Sequence, residues 1–291
     1  MKKKHTRHWI RLGTRFFYTY LTKSEKPSEI ISSSYDIIAH EYDKAWTNSM
    51  QHPVEEMIVR LSPETGAQAL DLACGTGFVT AKLAKLVGRR VIGVDASKSM
   101  INVAKDKYDK YCDFVQSDMM EYLHRQSSKN LDIVTCAWGL GYSHPFYLFR
   151  EISRVLQPGG RVGIIDLSKF SNWKMYWLSL KILAEKPESI EHKINVHYLT
   201  NCSALKWRMQ LNGIQVLDAW DGFKTFYLNN AEDVKEQLKN TGSVAVFESI
   251  IKVNHKEWFY NRLAEIIQKQ YGRNKIIPIV NHYIAAIGKK R

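Results

Sequence analysis

Cys74-Gly75-Thr76-Gly77 follows the apolar residues Leu70 and Leu72, and Asp95 lies 20 positions after Gly75. Two glycines let a backbone turn sharply and bring its N–H groups against a ligand with no Cβ in the way. An acid at that separation, ending the next strand, reaches the ribose hydroxyls of a nucleoside held over the turn. Asp71, just before the turn, narrows the ligand: a carboxylate there repels a pyrophosphate and suits a molecule carrying an ammonium and a sulfonium. Where a dinucleotide fingerprint has its third glycine, this chain has Thr80, which argues in the same direction. Further on, Tyr142 and His144 follow an apolar run and are the candidates for moving a proton. A histidine with an ordinary pKa of ~6.5 serves an oxygen acceptor as a base, and His144 before Pro145 equally fits a surface turn. No His, Cys, Asp or Glu set has metal-ligand spacing, so no metal is expected. Cys74, Cys112, Cys136 and Cys202 read as reduced thiols of a cytoplasmic protein.

These residues need a scaffold of alternating strands and helices, and the apolar spacing supplies one. The first strand runs into the turn, and a helix starts at about Phe78 with Val79, Leu83, Ala84 and Val87 inward. Val91, Ile92 and Val94 form the second strand, and Ser97 caps a helix whose Met100, Ile101, Val103 and Ala104 face the core. The third strand passes through Phe114 and Val115 to Asp118. That carboxylate either caps a helix or, in register with the turn and Asp95, accepts from an adenine amine at the strand's carboxyl end, with Met119 adding apolar contact. Leu131 to Ala137 is the near-continuous apolar run of a strand covered on both faces. Helix 145–156 and a Pro158-Gly159-Gly160 turn lead to a fifth strand ending at Asp166. Upstream, residues 24–34 read as a linker, Tyr35 opens a helix with Ile37, Ile38 and Ala45 among its apolar positions, and Pro53 begins another with Met57, Ile58 and Leu61 buried.

The turn DLACGTG resembles the D-x-G-x-G-x-G motif of the class I S-adenosylmethionine-dependent methyltransferases, with Ala73 in place of the first glycine. YDIIAHEYDKAW resembles the Y-D-x-x-A-x-x-Y-D helix that precedes this motif in small-molecule members of the ubiquinone and menaquinone-biosynthesis type. GVDASKSM and LQPGGRV continue the likeness, which is specific from about Tyr35 to Ser168 and weak afterwards. The resemblance implies a Rossmann-like α/β sheet of seven strands in the order 3-2-1-4-5-7-6, the last antiparallel, with helical cap insertions. It implies S-adenosylmethionine as cofactor, contacted by Asp71, Ala73, Cys74, Gly75, Gly77, Asp95, Ala96, Met100, Asp118, Met119 and Tyr42, with Met100 near the adenine. The covering helix would set Tyr35, Tyr42 or Trp46 near the methyl group. The implied reaction is methyl transfer to a small, apolar or lipid-like acceptor, on carbon, oxygen or nitrogen. An RNA methyltransferase, or a non-catalytic binding protein on the same scaffold, is the alternative; without an RNA-reading module or an N/D-P-P-Y/F/W signature, nucleic acid is the less favoured partner.

The remaining segments frame this domain. Residues 169–213 read as an insertion over the site, with Trp173, Tyr176, Trp177, Leu180 and Leu183 at helical spacing. Residues 213–228 supply the sixth strand, 231–272 a second helical insertion with Trp258, Phe259, Leu263, Ile266 and Ile267 on one side, and IIPIVNHYIAAIGKK the seventh strand. The methyltransferase domain is thus expected over 31–291. Of the net charge of +13, residues 1–30 carry eight Lys or Arg against Glu25 and Glu29. Trp9, Leu12, Phe16 and Tyr20 fall on one face there, with Arg7, Arg11 and Arg15 beside it. Two readings fit: a basic amphipathic helix on an anionic membrane surface, or a tail whose aromatics pack on the domain. No apolar run approaches the roughly 20 residues of a membrane span.

Overall fold

Seven strands form one sheet in the order β3-β2-β1-β4-β5-β7-β6 in the computed structural model, which describes residues 2–22, 27–193, 196–241, 245–272 and 275–291. The strands are β1 (Ala69–Leu72), β2 (Val91–Asp95), β3 (Cys112–Gln116), β4 (Leu131–Ala137), β5 (Leu156–Leu167), β6 (Ile214–Leu228) and β7 (Ile277–Lys290). The first five pair in parallel and β7 runs antiparallel to β5. This is the expected Rossmann-like topology, in which the strand order reverses between β1 and β4 and opens a crevice at their carboxyl ends. The helices are α1 (Lys2–Thr22), α2 (Pro27–Tyr42), α3 (Asn48–Leu61), α4 (Phe78–Val87), α5 (Lys98–Tyr108), α6 (Met119–Arg125), α7 (Pro145–Val155), α8 (Trp173–Glu185), α9 (Cys202–Leu211), α10 (Ala231–Asn240), α11 (Ala245–Ile250) and α12 (Lys256–Tyr271).

The chain divides into two compact units. Tyr35–Ser171, Val196–Lys224 and Asn281–Arg291 make the larger one. Its central strands are buried on both faces, so neighbouring residues serve different cores: Ile133 packs with Met57, Leu83 and Val87, whereas Val134 packs with Phe149, Ile152 and Met209. The Pro158-Gly159-Gly160 turn lies inside β5 rather than ahead of it. The register jumps from Leu131↔Leu156 to Ile133↔Arg161, and the turn occupies the residues looped out by that irregularity.

Met1–Ser34, Asn172–Asn195 and Thr225–Val280 make the smaller, largely helical unit. Leu12 of α1, Ile182 and Leu183 of α8, and Phe259, Leu263 and Ile267 of α12 are its core. Arg262 clamps Glu185 in a bidentate pair with bonds of 2.8 and 2.9 Å. The contacts divide the chain after Ser34, near the boundary expected at residue 30, and divide the segment 169–213 as well: 172–195 fall in this unit, while α9 buries Leu205 and Met209 in the other.

Several local expectations change. The segment read as a linker is helical from Pro27, because Ile31, Ser34 and Ile38 keep one buried face at helical spacing; residues 23–26 lie outside the described ones. Ile37 faces out. Pro53 sits inside α3 rather than at its start, because Asp43–Thr47 form a π turn that carries the helix on without a break; the proline removes one helical bond and crowds the carbonyl of Ser49. In α8 the buried face is Met175, Leu178, Ile182 and Leu183, which leaves Trp173, Tyr176 and Trp177 exposed.

Candidate functional site

The turn after β1 is built to hold its backbone N–H groups open. Gly75 has φ +53° and Gly77 φ +86°, the left-handed region that glycine enters freely. Their surroundings differ. A Cβ on Gly77 would meet Phe114 at 2.8 Å and Tyr108 at 3.0 Å, so this glycine lets α4 and β3 pack. A Cβ on Gly75 would meet nothing within 4 Å, so this glycine faces open space above the turn. Asp95 faces the same turn: its Oδ2 accepts from the Gly75 N–H at 2.9 Å, and its Oδ1 accepts from the Ser97 N–H at 2.9 Å. Burial pushes the Asp95 carboxyl up. Ala73 has φ +53° with a Cβ, a strained conformation where the resembling motif has glycine. Trp138 at the end of β4 is strained likewise, with φ +62°, and its ring lies edge-on to Trp46 at 5.6 Å. Such strain in a bulky residue is a mark of functional sites.

Asp71 corrects the sequence reading. It is buried beneath the turn, where Oδ2 accepts from the Thr80 hydroxyl and Oδ1 from the Thr135 hydroxyl, both at 2.7 Å. At 1% exposed, against the half-buried Asp95, it braces β1, α4 and β4 instead of facing a ligand, and Thr80 is its partner. Burial pushes its carboxyl up to about 7, and Asp166, which accepts from the Gly141 N–H at 2.7 Å, is likewise pushed up to about 7 by burial. A carboxyl whose folded pKa exceeds its unfolded value binds protons preferentially in the folded state. The two acids therefore stabilise the fold below about pH 4, and that stabilisation is lost as pH rises to about 7. Asp71→Asn keeps the shape and removes one of these charges. Melting temperatures measured from pH 5 to 8 should fall less steeply with pH for the variant than for the wild type, and an unchanged slope would count against the assignment.

The remaining candidates take distinct places. Asp118 caps α6, accepting from the Met120 and Glu121 N–H groups through Oδ1 at 2.8 and 3.2 Å, so neither cap bond uses Oδ2. Met100 is buried with Ile38, Ala39 and Val103, beside the half-buried Tyr35 and Tyr42. Ala96 and Met119 are half-buried at the carboxyl ends of β2 and the start of α6, and Cys74 is buried, its N–H donating to Val94. Tyr42, Trp46, Ala73, Cys74, Gly75 and Trp138 line one cleft.

Tyr142 is not placed as a base. Its hydroxyl is 2.5 Å from that of Tyr35 and is also bonded to Tyr198, and burial pushes it well above the ordinary phenol range. It belongs to a chain of neutral phenols, Tyr35, Tyr142 and Tyr198. His144 is exposed, at the N-terminal end of α7, with its ring 5.0 Å from that of His197. Burial, then the neighbouring His144, lowers the pKa of His197. Several contributors had no clear sequence signal. Asp36 accepts from the Ser97 hydroxyl at 2.6 Å and the Ser99 N–H at 2.9 Å, and Asp43 accepts from the Thr76 hydroxyl and pairs with Lys107. The two Tyr-Asp pairs of the covering helix thus tie it to the turn and to α5. Their repeat was visible in sequence; what the acids hold was not.

Comparison with known proteins follows this geometry. Residues 69–160 match the model of a methyltransferase domain. A demethylmenaquinone methyltransferase of Lactococcus lactis is 38% identical over 156 residues, covering 50% of this chain and 59% of that protein, so the chain spans under two thirds of this relative's length. The YcgJ protein of Bacillus subtilis superposes with a TM-score of 0.56 at 18% identity, covering 83% of this chain and 99% of its own. A phosphoethanolamine N-methyltransferase of Haemonchus contortus, bound to phosphomonomethylethanolamine and S-adenosylhomocysteine, superposes with a TM-score of 0.58 at 18% identity, covering 92% of this chain and 61% of its own. At these identities the two structures speak to the fold. The strand order is that of the Rossmann-like methyltransferase fold, and residues 69–160 are similar to a methyltransferase domain and the chain to the enzymes of menaquinone biosynthesis.

Proposed function

We propose that the chain binds S-adenosylmethionine over the Cys74–Gly77 turn and transfers its methyl group to a small apolar acceptor. The observation that carries this reading is the open space above Gly75 at a turn whose N–H is tied to Asp95 Oδ2 at 2.9 Å. The donor set fits a nucleoside: Asp95 accepts from ribose hydroxyls, Oδ2 of Asp118 accepts from the adenine amine, and Ala96, Met100 and Met119 offer apolar contact. S-adenosylmethionine supplies a methyl group on a sulfonium, already activated for in-line displacement. What remains for the protein is to orient the acceptor and exclude water. Tyr42, Trp46 and Trp138 give that cleft an aromatic wall, and the hydroxyl chain of Tyr35, Tyr142 and Tyr198 orients a polar atom of the acceptor. The likeness to demethylmenaquinone methyltransferases supports an apolar, quinol-like acceptor met in the cytoplasm or at a membrane surface.

An oxygen acceptor must also lose a proton, and His144 beside His197 is the pair we assign to receive it. His144→Ala should then lower turnover by about 100-fold at neutral pH and alter the pH–rate profile. An unchanged pH profile takes His144 out of the mechanism. The acceptor itself is identified by incubating the protein with methyl-labelled S-adenosylmethionine and fractionated cell extract. Label is expected in the lipid-soluble fraction; label confined to polar metabolites or to RNA would refute the acceptor assignment.

A further inference from the structure

Helix α1 carries two apolar stripes. Leu12 is buried and Trp9 and Phe16 pack beside it in the core of the smaller unit, so the stripe visible in sequence is already used. Arg15 fixes that orientation by donating from Nε to the Ile190 carbonyl at 2.9 Å, and His8 Nδ1 lies 3.1 Å from the Ala184 carbonyl. At ~100° per residue, Ile10, Phe17 and Leu21 fall on the opposite side of the helix. They are 61%, 65% and 65% exposed. Exposed single apolar residues are ordinary, but three on one face of one helix, flanked by the exposed Tyr18 and Tyr20, are a surface.

The charge around this surface says what it meets. Residues 2–22 contain six Lys or Arg and no acid in a chain with net charge +13; Arg11 pairs with Glu188 at 3.3 Å and Arg15 turns to Ile190, while Arg7 stands exposed on the side of Ile10, Phe17 and Leu21. The neighbouring helix repeats the chemistry. Trp177 of α8 stacks on Trp9 with centroids 5.2 Å apart, Trp173 and Trp177 are exposed one turn from each other, and Lys174 and Lys181 are exposed beside them. Basic side chains with Trp, Tyr and aliphatic residues are what an anionic bilayer surface binds, cations at the headgroups and rings at the acyl boundary.

We propose that the outward face of α1, Ile10, Phe17 and Leu21 with its basic flanks and the adjoining Trp173 and Trp177, docks on an anionic phospholipid surface. This goes beyond the methyl-transfer reading and does not depend on it. The test is sedimentation of the full chain with vesicles of phosphatidylcholine alone and of phosphatidylcholine mixed equally with phosphatidylglycerol. Binding is expected to the anionic vesicles, to weaken steeply with salt, and to fall at least ~10-fold in Ile10→Ser/Phe17→Ser/Leu21→Ser. These side chains are exposed, so the variant's thermal melt should match wild type; Lys174→Gln/Lys181→Gln is a second variant that leaves every apolar contact in place and should lose binding in part. Equal binding to both vesicles, or undiminished binding of the triple variant, would overturn the proposal. So would a lipid-free dimer that the triple variant dissolves, because the face would then be an interface between two copies.

Discussion

Asp95→Ala should weaken S-adenosylmethionine binding by about 100-fold or more. In the proposed site the carboxylate accepts from the ribose, and hydrogen bonds to a charged group contribute roughly 1.5–3 kcal/mol each, so losing two costs at least ~3 kcal/mol, a factor of over 100. The substitution also frees the Gly75 and Ser97 N–H groups that Asp95 now holds, so the turn loses its preset shape along with its acceptor. Asp95→Asn separates the two effects. It retains one acceptor oxygen and should fall between wild type and Asp95→Ala when affinities are measured by calorimetry. A wild-type affinity in Asp95→Ala would remove Asp95 from the site.

Gly75→Val should abolish binding without unfolding the protein. A Cβ there meets no protein atom within 4 Å, so the structural cost is chiefly the φ of +53°, about 1–2 kcal/mol and more for a β-branched residue, while the methyl groups fill the space above the turn. Gly77→Ala should do the reverse, because its Cβ collides with Phe114, Tyr108 and Ala104 on the protein side. Overpacking of that kind costs about 1–3 kcal/mol in addition to the strained φ. Urea denaturation and ligand titration of the two variants therefore give opposite patterns. A Gly75→Val protein that binds like wild type would show that the ligand lies elsewhere.

The contrast between these glycines marks how far the sequence was legible. Both belong to one motif, and the spacing of Gly75 from Asp95 located the crevice, because the period of strand and helix leaves an acid on β2 beside the turn after β1. The strands themselves were legible for the same reason, each an apolar run bounded by a turn; their order in the sheet came from the resemblance to the class I methyltransferases. Side-chain partners across the fold were not. Asp71 adjoins the turn in sequence, yet its direction is set by the alternation of β1, which buries it against Thr80 and Thr135. Tyr142 and His144 are two residues apart, but the short 3-10 turn at Leu140–Tyr142 sends one inward to Tyr35 and leaves the other in solvent. In α1 a single helix carries apolar residues on two sides, and helical spacing alone does not say which stripe is packed. The π turn at Asp43–Thr47 leaves no mark in residue type, which is why Pro53 read as a helix start.

In the proposed function the turn and its opposing acid hold S-adenosylmethionine. Calorimetric titration of the purified chain with S-adenosylmethionine, with NADH under the same conditions, tests it most directly. One site per chain for S-adenosylmethionine, lost in Gly75→Val and strongly weakened in Asp95→Ala, with no binding of NADH, is the predicted result. Binding of NADH with none of S-adenosylmethionine would contradict it.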